Sequence, residues 1–381
     1  MKIAVAGTRG FPGIQGGVET HCEELYPRLA AMGADVTVMC RRPYLAPDAP
    51  DVWRGVRLLP LWSPRRQSTE TIVHTFLAVI RARMAGARIM HLHACGPALM
   101  APLARLLGMK VVTTLHGHDY RRAKWGRMAR MALRLGERTA LACSNAVISI
   151  SPAITEALRA RSGSHCRILT ISNGVNPPAP DAADRQWLAS LGVEPGRYVV
   201  AVGRLVPEKG LHTLIETAPA LREAGLRIVV AGGADHPTAY SEALRRLAAE
   251  KGVVMTGAVS HRRVHALLAD AALFVMPSLH EGLPIALLEA MSHGLDVAVS
   301  DIEPCRLPQL ASSDLFPPGD AAALASLVLA KTTAAARINA GAHDAAGNPA
   351  NAVAPARRSY DLSAYDWDSI AASVIALYRS L

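Results

Sequence analysis

Aromatic residues make up only 4% of this 381-residue chain, which argues against a surface that stacks nucleic-acid bases one by one. No uninterrupted apolar run approaches 18 residues, so no spanning helix is expected. The opening MKIAVAGTRG lacks the basic-then-apolar layout of a secretory signal, which leads to the expectation of a cytoplasmic location. Cysteines at 22, 40, 95, 143, 166 and 305 form neither a C-x-x-C pair nor a regular framework. That usage suits a reducing compartment, and no disulfide is expected. Acidic charge is scarce in the first half. Residues 1–180 hold 24 Lys and Arg against 10 Asp and Glu, a net of +14, whereas the remainder holds 17 against 21, a net of −4. One half therefore faces something anionic: a membrane surface, a phosphorylated substrate or nucleic acid.

What the sequence does contain is an alternation of β-rich and helical stretches from end to end. Strands are expected at 2–6, 35–40, 88–93, 110–116 and 146–150, and again at 197–202, 226–232, 253–257, 273–278 and 296–300. Their apolar residues run without alternating, as strands buried on both faces require. The pattern implies an α/β fold of two doubly wound parallel-sheet domains facing a cleft, and the length fits two cores. A linker is expected at Ser172–Gln186, where Pro and turn formers interrupt the pattern. Residues 331–356, rich in Ala, read as a helix end followed by a surface loop. The closing YDWDSIAASVIALYRSL repeats Ile370, Val374, Ile375 and Tyr378 at helical spacing behind an Asp cap.

Candidate site residues cluster at strand ends. After the first strand, GTRGFPGIQGGVET carries glycines at 7, 10, 13, 16 and 17 ahead of a helix beginning near Val18. Such a turn lets backbone approach an anion or a sugar. Its G-x-x-G-x-x-G spacing departs from the dinucleotide fingerprint, and no acidic residue clearly ends the second strand. VVAVGRLVPEKG places Gly203, Arg204 and Lys209 after a strand, a plausible diphosphate site. In SLHEGLPIALLEAMSHG, Glu281 lies in a loop and Glu289 in the helix that Pro284 helps to start, two carboxylates suited to hydroxyl-rich rings. TLHGHDYRRAKWG puts His116, His118 and Asp119 at another strand end.

His91, His93 and Cys95 alternate along one strand face. Lacking a fourth partner, they read as cleft or core residues rather than zinc ligands. The only D-x-D, Asp366-Trp367-Asp368, reads as a helix cap, so no metal is expected. Arg121, Arg122, Lys124, Arg127, Arg130, Arg134 and Arg138 surround Trp125, Met128, Met131 and Leu135. That stretch reads either as an amphipathic contact to an anionic leaflet or as a core helix with solvated arginines.

Together, GTRGFPGIQGGVET, HGHDYRRAKWG, GRLVPEKG, EGLPIALLEAMSHG and the terminal YDWDSIAASVIALYRSL resemble the family-4 retaining glycosyltransferases, particularly bacterial members of surface-polysaccharide assembly. The resemblance implies the GT-B fold, with an N-terminal domain over 1–176 plus a returning helix over 366–381, and a nucleotide-sugar domain over 177–365. It implies a nucleotide-diphosphate sugar as donor, and a glycan or polyprenyl-diphosphate-linked acceptor at the inner face of the membrane. His116, Arg204, Lys209 and Glu281 would be catalytic. Gly16, Gly17, Asp119, Gly203, Gly282, Leu283, Pro284 and Glu289 would bind the donor, with no metal and no cofactor beyond it. A nucleotide-sugar epimerase, or an inactive nucleotide-sugar-binding protein, would share the architecture.

Overall fold

The computed structural model describes residues 1–64, 69–117, 120, 125–163, 166–178, 185–340 and 357–381. These form two compact units, one of Met1–Gly174 with Ala364–Leu381 and one of Val175–Ser363.

Unit 1 is built on eight strands: β1 Lys2–Ala6, β2 Asp35–Arg41, β3 Val52–Trp53, β4 Val56–Leu61, β5 Ile89–His93, β6 Lys110–Leu115, β7 Ala146–Ser149 and β8 Ile168–Thr170. Their order is β3-β4-β2-β1-β5-β6-β7-β8. All neighbours are parallel except β3 and β4, which form an antiparallel edge. The unbroken apolar runs are explained by burial on both faces. Ile3 and Val5 point into a core shared with Leu25, Tyr26 and Leu29 of the first helix, Gly17–Ala31. Ala4 and Ala6 point the other way, against Ala78, Val79 and Ala82 of the helix Glu70–Met84. Alternate residues of one strand thus feed two cores.

The terminal helix, Trp367–Arg379, belongs to unit 1 and packs on the first helix. Asp366 caps it by accepting from the Ser369 N–H at 2.8 Å, so the D-x-D acts as the expected cap. Ile370, Val374, Ile375 and Tyr378 are all buried in the first core. Trp367 lies flat on Gly174, where any Cβ would stand 2.5 Å from the indole.

Unit 2 has six strands: β9 Tyr198–Val202, β10 Arg227–Ala231, β11 Val254–Gly257, β12 Leu273–Met276, β13 Val297–Ser300 and β14 Leu315–Phe316. They run parallel in the order β11-β10-β9-β12-β13-β14. All ten expected strands are present. Sequence reading missed β3, β4, β8 and β14, which are two to six residues long, and β4 carries Pro60. The alanine-rich helix extends over Ala321–Ala340. Residues 341–356 and part of the expected linker, 179–184, lie outside the described residues.

A buried ionic cluster fastens the segment that follows. Asp314, 1% exposed, accepts from Lys331 and Arg358, each at 2.7 Å, and both cations also reach Asp296 at 2.8 Å. The Arg358 N–H donates to the Gly294 carbonyl at 2.7 Å, and the Tyr360 hydroxyl to that of Leu295 at 2.9 Å. Burial by itself raises the Asp314 carboxyl, but bonds from Arg358, Lys331 and the Ala311 N–H outweigh it and hold the group below its ordinary range. A depressed folded value means the stabilisation is complete above the unfolded aspartate value, about 3.9, and is lost as pH falls through the folded one. Asp314→Asn should cost about 3 kcal/mol at neutral pH. In urea titrations from pH 7 to 3, the difference between wild type and variant should shrink with acid; a constant difference would contradict the assignment.

Candidate functional site

In open α/β sheets, ligands bind beyond the carboxyl ends of the strands where the strand order reverses. Unit 1 reverses at β1 and β5, and unit 2 at β9 and β12. The glycine-rich loop follows β1 at the first place, Gly203, Arg204 and Lys209 follow β9 and Glu281 follows β12 at the second, and His116 follows β6, the neighbour of β5.

In unit 1 the glycine-rich loop leaves β1 and enters the first helix at Gly17. Its shape is held by a buried ion pair. Glu19 accepts from the Arg9 backbone N–H, Nε and Nη2, each at 3.1 Å, and Arg9 Nη2 also donates to the Gln15 carbonyl. Gly16, with φ of 150°, sits against this pair; a Cβ there would lie 2.1 Å from a Glu19 oxygen. Burial tends to raise the Glu19 carboxyl, but the Arg9 charge and its hydrogen bonds prevail, so the group stays ionised below its usual range.

Beside that loop stand four imidazoles. His93 ends β5, and His116 follows β6 directly. Their rings stack 5.3 Å apart, and His93 Nδ1 meets His116 Nε2 at 3.0 Å. His21, from the first helix, sets its ring edge-on to both, with centroids 5.5 and 5.0 Å away. His91 stacks on His93 at 4.4 Å and shares one nitrogen with the hydroxyls of Tyr26 and Tyr378. Tyr26 also bonds His93 Nε2, and Asn173 Oδ1 bonds His21 Nδ1 at 3.0 Å. Burial, helped by mutual repulsion, pushes His21 and His91 down to about 3 and His93 well below its ordinary value, so all three are neutral at pH 7. Cys95 stands apart, its sulfur turned toward the Gly117 carbonyl. Asp119 and His118 lie outside the described residues.

In unit 2, two loops converge. Lys209 Nζ meets Glu281 Oε1 at 2.6 Å, and Ser278 Oγ donates to the same oxygen at 2.6 Å. The Lys209 stem lies over Gly203, where a Cβ would touch it at 3.4 Å. The Leu279 N–H donates to the Glu208 carbonyl at 2.8 Å, and Gly210, left-handed with φ of 57°, lets the first loop press on Pro277; a Cβ would come within 2.0 Å of that carbonyl oxygen. Arg204 pairs with Asp235 at 3.1 Å. Gly282 continues the loop, Leu283 is buried beside it, and Pro284 precedes the helix Ile285–Ser292. Glu289, 8% exposed, lies on that helix 3.6 Å from His261 rather than with Glu281. Such a constellation can bind an anion through Arg204 and Lys209 while a carboxylate accepts from hydroxyls.

Sequence reasoning named Lys209 and Glu281 without their contact, and it passed over Arg9, Glu19, His21, Tyr26, Ser278 and Asp235. Arg9 and Glu19 both stand in the glycine-rich stretch, where charge of opposite sign ten positions apart was the available signal.

Two protein-family models match: "Glycosyltransferase Family 4" over residues 15–178 and "Glycosyl transferases group 1" over 196–331. The GDP-mannose-dependent alpha-(1-6)-phosphatidylinositol monomannoside mannosyltransferase of Mycobacterium tuberculosis is 30% identical over 323 residues, 78% of this chain and 80% of its own. TuaC of Bacillus subtilis, described as a putative teichuronic acid biosynthesis glycosyltransferase, is 25% identical over 74% of this chain and 76% of its own. Among solved structures, sucrose-phosphate synthase from Thermosynechococcus elongatus matches with a TM-score of 0.77 at 23% identity, covering 100% of this chain and 98% of that one. Anabaena HepE in complex with UDP-glucose matches at 0.74 with 18% identity, covering 100% and 99%. These structures share the GT-B fold.

The Arg9–Glu19 pair gives a direct test of how the loop is held. Arg9→Met should cost about 3–5 kcal/mol because it strands a buried carboxylate, and adding Glu19→Met should recover much of that loss. Urea denaturation of the four proteins of this cycle measures both; additive losses would show that the two side chains act independently.

Proposed function

We propose that this chain, which belongs to glycosyltransferase family 4, is a retaining, metal-independent hexosyltransferase. It moves a sugar from a nucleotide-diphosphate donor to a glycan or lipid-linked glycan in surface-polysaccharide assembly: exopolysaccharide, O-antigen or capsule. The observation that carries the reading is the Lys209–Glu281 contact at the switch point of unit 2, with Arg204 nearby on the same loop. Relatives whose names state a GDP-mannose donor, and a fold neighbour bound to UDP-glucose, support the donor class.

In this reading Arg204 and Lys209 bind the diphosphate. Lys209 has three donors, of which Glu281 takes one, leaving two for phosphate oxygens. Glu289 accepts from the ribose, and Glu281 from the sugar being transferred. Gly203, Gly282, Leu283 and Pro284 line the donor. Gly16, Gly17, Asp119 and His116 serve the donor sugar, with His116 bonding a hydroxyl near the reacting carbon. As the anomeric bond breaks, negative charge grows on the diphosphate, and fixed cations stabilise it more than they stabilise the ground state. The acceptor hydroxyl attacks on the face the diphosphate leaves, and a phosphate oxygen takes its proton. The anomeric configuration is kept, Glu281 forms no covalent intermediate, and no metal takes part.

The helix Arg127–Cys143 supports a membrane contact. Met128, Met131 and Leu135 are 76%, 62% and 52% exposed, so they are not core, and Arg127, Arg130, Arg134 and Arg138 are exposed with them. Arg121, Arg122 and Lys124 lie outside the described residues. Each arginine contributes about 1 kcal/mol at an anionic leaflet. Among the described residues no helix is long and apolar enough to cross a membrane.

Thermal-shift titration with UDP, GDP, ADP, CMP and dTDP should single out one nucleoside diphosphate, since a ligand at 100 times its dissociation constant adds about 2.7 kcal/mol. With the matching sugar donor, Lys209→Ala should lower kcat about 10²–10³-fold. Glu281→Ala should depress transfer more than nucleotide binding, and proton NMR of the product should show retained configuration. Conversion of the donor sugar without an acceptor would instead identify an epimerase. Separately, co-sedimentation with phosphatidylglycerol vesicles should fall at least tenfold in a Met128→Ser, Met131→Ser, Leu135→Ser variant, and unchanged binding would remove the helix from the contact.

A further inference from the structure

We infer that His21, His93 and His116 form a transition-metal site of the zinc type, and that its occupation switches the enzyme off. One nitrogen from each ring lies within 4.8 Å of the others. Two features distinguish this trio from a chance cluster of core histidines. The first is an orphan: His21 is 2% exposed, and its Nε2 has no hydrogen-bond partner among the described residues although it is buried. A buried acceptor without a donor is a cost that a metal ion would relieve. The second is the outer layer. Asn173 Oδ1 fixes His21 through Nδ1, and Tyr26 fixes His93 through Nε2, so both rings are oriented from behind, with His21 Nε2 unpartnered and His93 Nδ1 turned to His116 Nε2. This is how proteins hold metal-binding imidazoles.

Three imidazoles with water in the fourth position match zinc, whose Zn–N bonds of about 2.1 Å place nitrogens roughly 3.4 Å apart in a tetrahedron. His93 Nδ1 and His116 Nε2 already stand at 3.0 Å. Closing the remaining gap takes a side-chain shift of about an ångström. The hydrogen these two nitrogens now share must leave for both lone pairs to reach the metal. It moves through water to the outer nitrogen of its own ring, which for His93 means the nitrogen facing the Tyr26 oxygen. His116, partly exposed, marks the side of entry. The set consists of the three histidines, and the Cys95 sulfur is turned toward the Gly117 carbonyl, so the site is all-nitrogen. The inhibitory half rests on the donor-sugar role proposed for His116, because a metal-bound Nε2 cannot bond a sugar hydroxyl; the binding half does not.

Full-length protein stripped of metal should take up one Zn²⁺ per chain by calorimetry. Co²⁺ should give visible d–d bands of tetrahedral type without the near-ultraviolet thiolate band. His21→Phe keeps the ring volume beside Trp367, and His93→Gln keeps a polar partner for Tyr26. Each should abolish the stoichiometric uptake and the Co²⁺ bands, and persistence of both in the two variants would overturn the site. Zn²⁺ should lower transfer at least tenfold while leaving the nucleoside-diphosphate thermal shift unchanged. Tight 1:1 binding with undiminished transfer would overturn the switch, whereas absence of transfer in the metal-free enzyme would count against the glycosyltransferase reading and leave the site standing.

Discussion

Burying an imidazole is costly unless it is neutral and hydrogen-bonded, and unit 1 buries three of them side by side. His21, His91 and His93 impose that condition on everything around them. Tyr26 must come from the first helix, Tyr378 from the terminal helix, and Asn173 from the segment after β8. These partners register both helices against the sheet at the level of the strand ends. The polar column, in which His21 Nε2 is left unsatisfied, fixes where His116 stands and how the glycine-rich loop meets the helix that carries His21.

Unit 2 solves the same problem with charge. Its site rests on Lys209 and Glu281, and its far edge on the cluster around Asp314. Both arrangements join segments distant in sequence: Lys209 and Ser278 meet one oxygen of Glu281, and Lys331 and Arg358 are each shared by Asp296 and Asp314, so none of these carboxylates stands alone. In the proposed reaction unit 2 would supply fixed cations for the leaving diphosphate and carboxylates for hydroxyls, and unit 1 a hydrogen-bonding group in His116. The chain's basic excess, confined to the first half, is spent elsewhere, in part on the exposed helix Arg127–Cys143.

Much of the architecture was legible because strands buried on two faces leave apolar runs that neither a helix nor an edge strand would show. β4 escaped because Pro60 breaks such a run, and β3, β8 and β14 because two or three residues carry no periodicity. The motifs located loops at strand ends correctly in kind, since Gly, Pro and short charged runs are local signals. Contacts were another matter. Lys209 and Glu281 are joined by topology, as β12 crosses to the other side of β9, and no spacing encodes that. His91 and His93 were visible as a pair, whereas the third ring arrives from the helix at His21, whose neighbours in sequence give no hint of it. The helix Arg127–Cys143 left two readings open, and the exposure of Met128, Met131 and Leu135 removes the one in which they are core.

The return of the terminal helix sets an order of events in synthesis. The first core includes Trp367, Ile370, Val374 and Tyr378, which the ribosome makes only after the whole of unit 2. At about 5–20 residues per second, the N-terminal sheet waits on the order of 10–40 s with one face unfinished and the imidazoles of β5 without Tyr378. Unit 2, continuous in sequence, can close during that interval. A chain broken off before residue 364 would carry a completed second unit beside an open first one, a state whose exposed apolar face is what cellular quality control recognises.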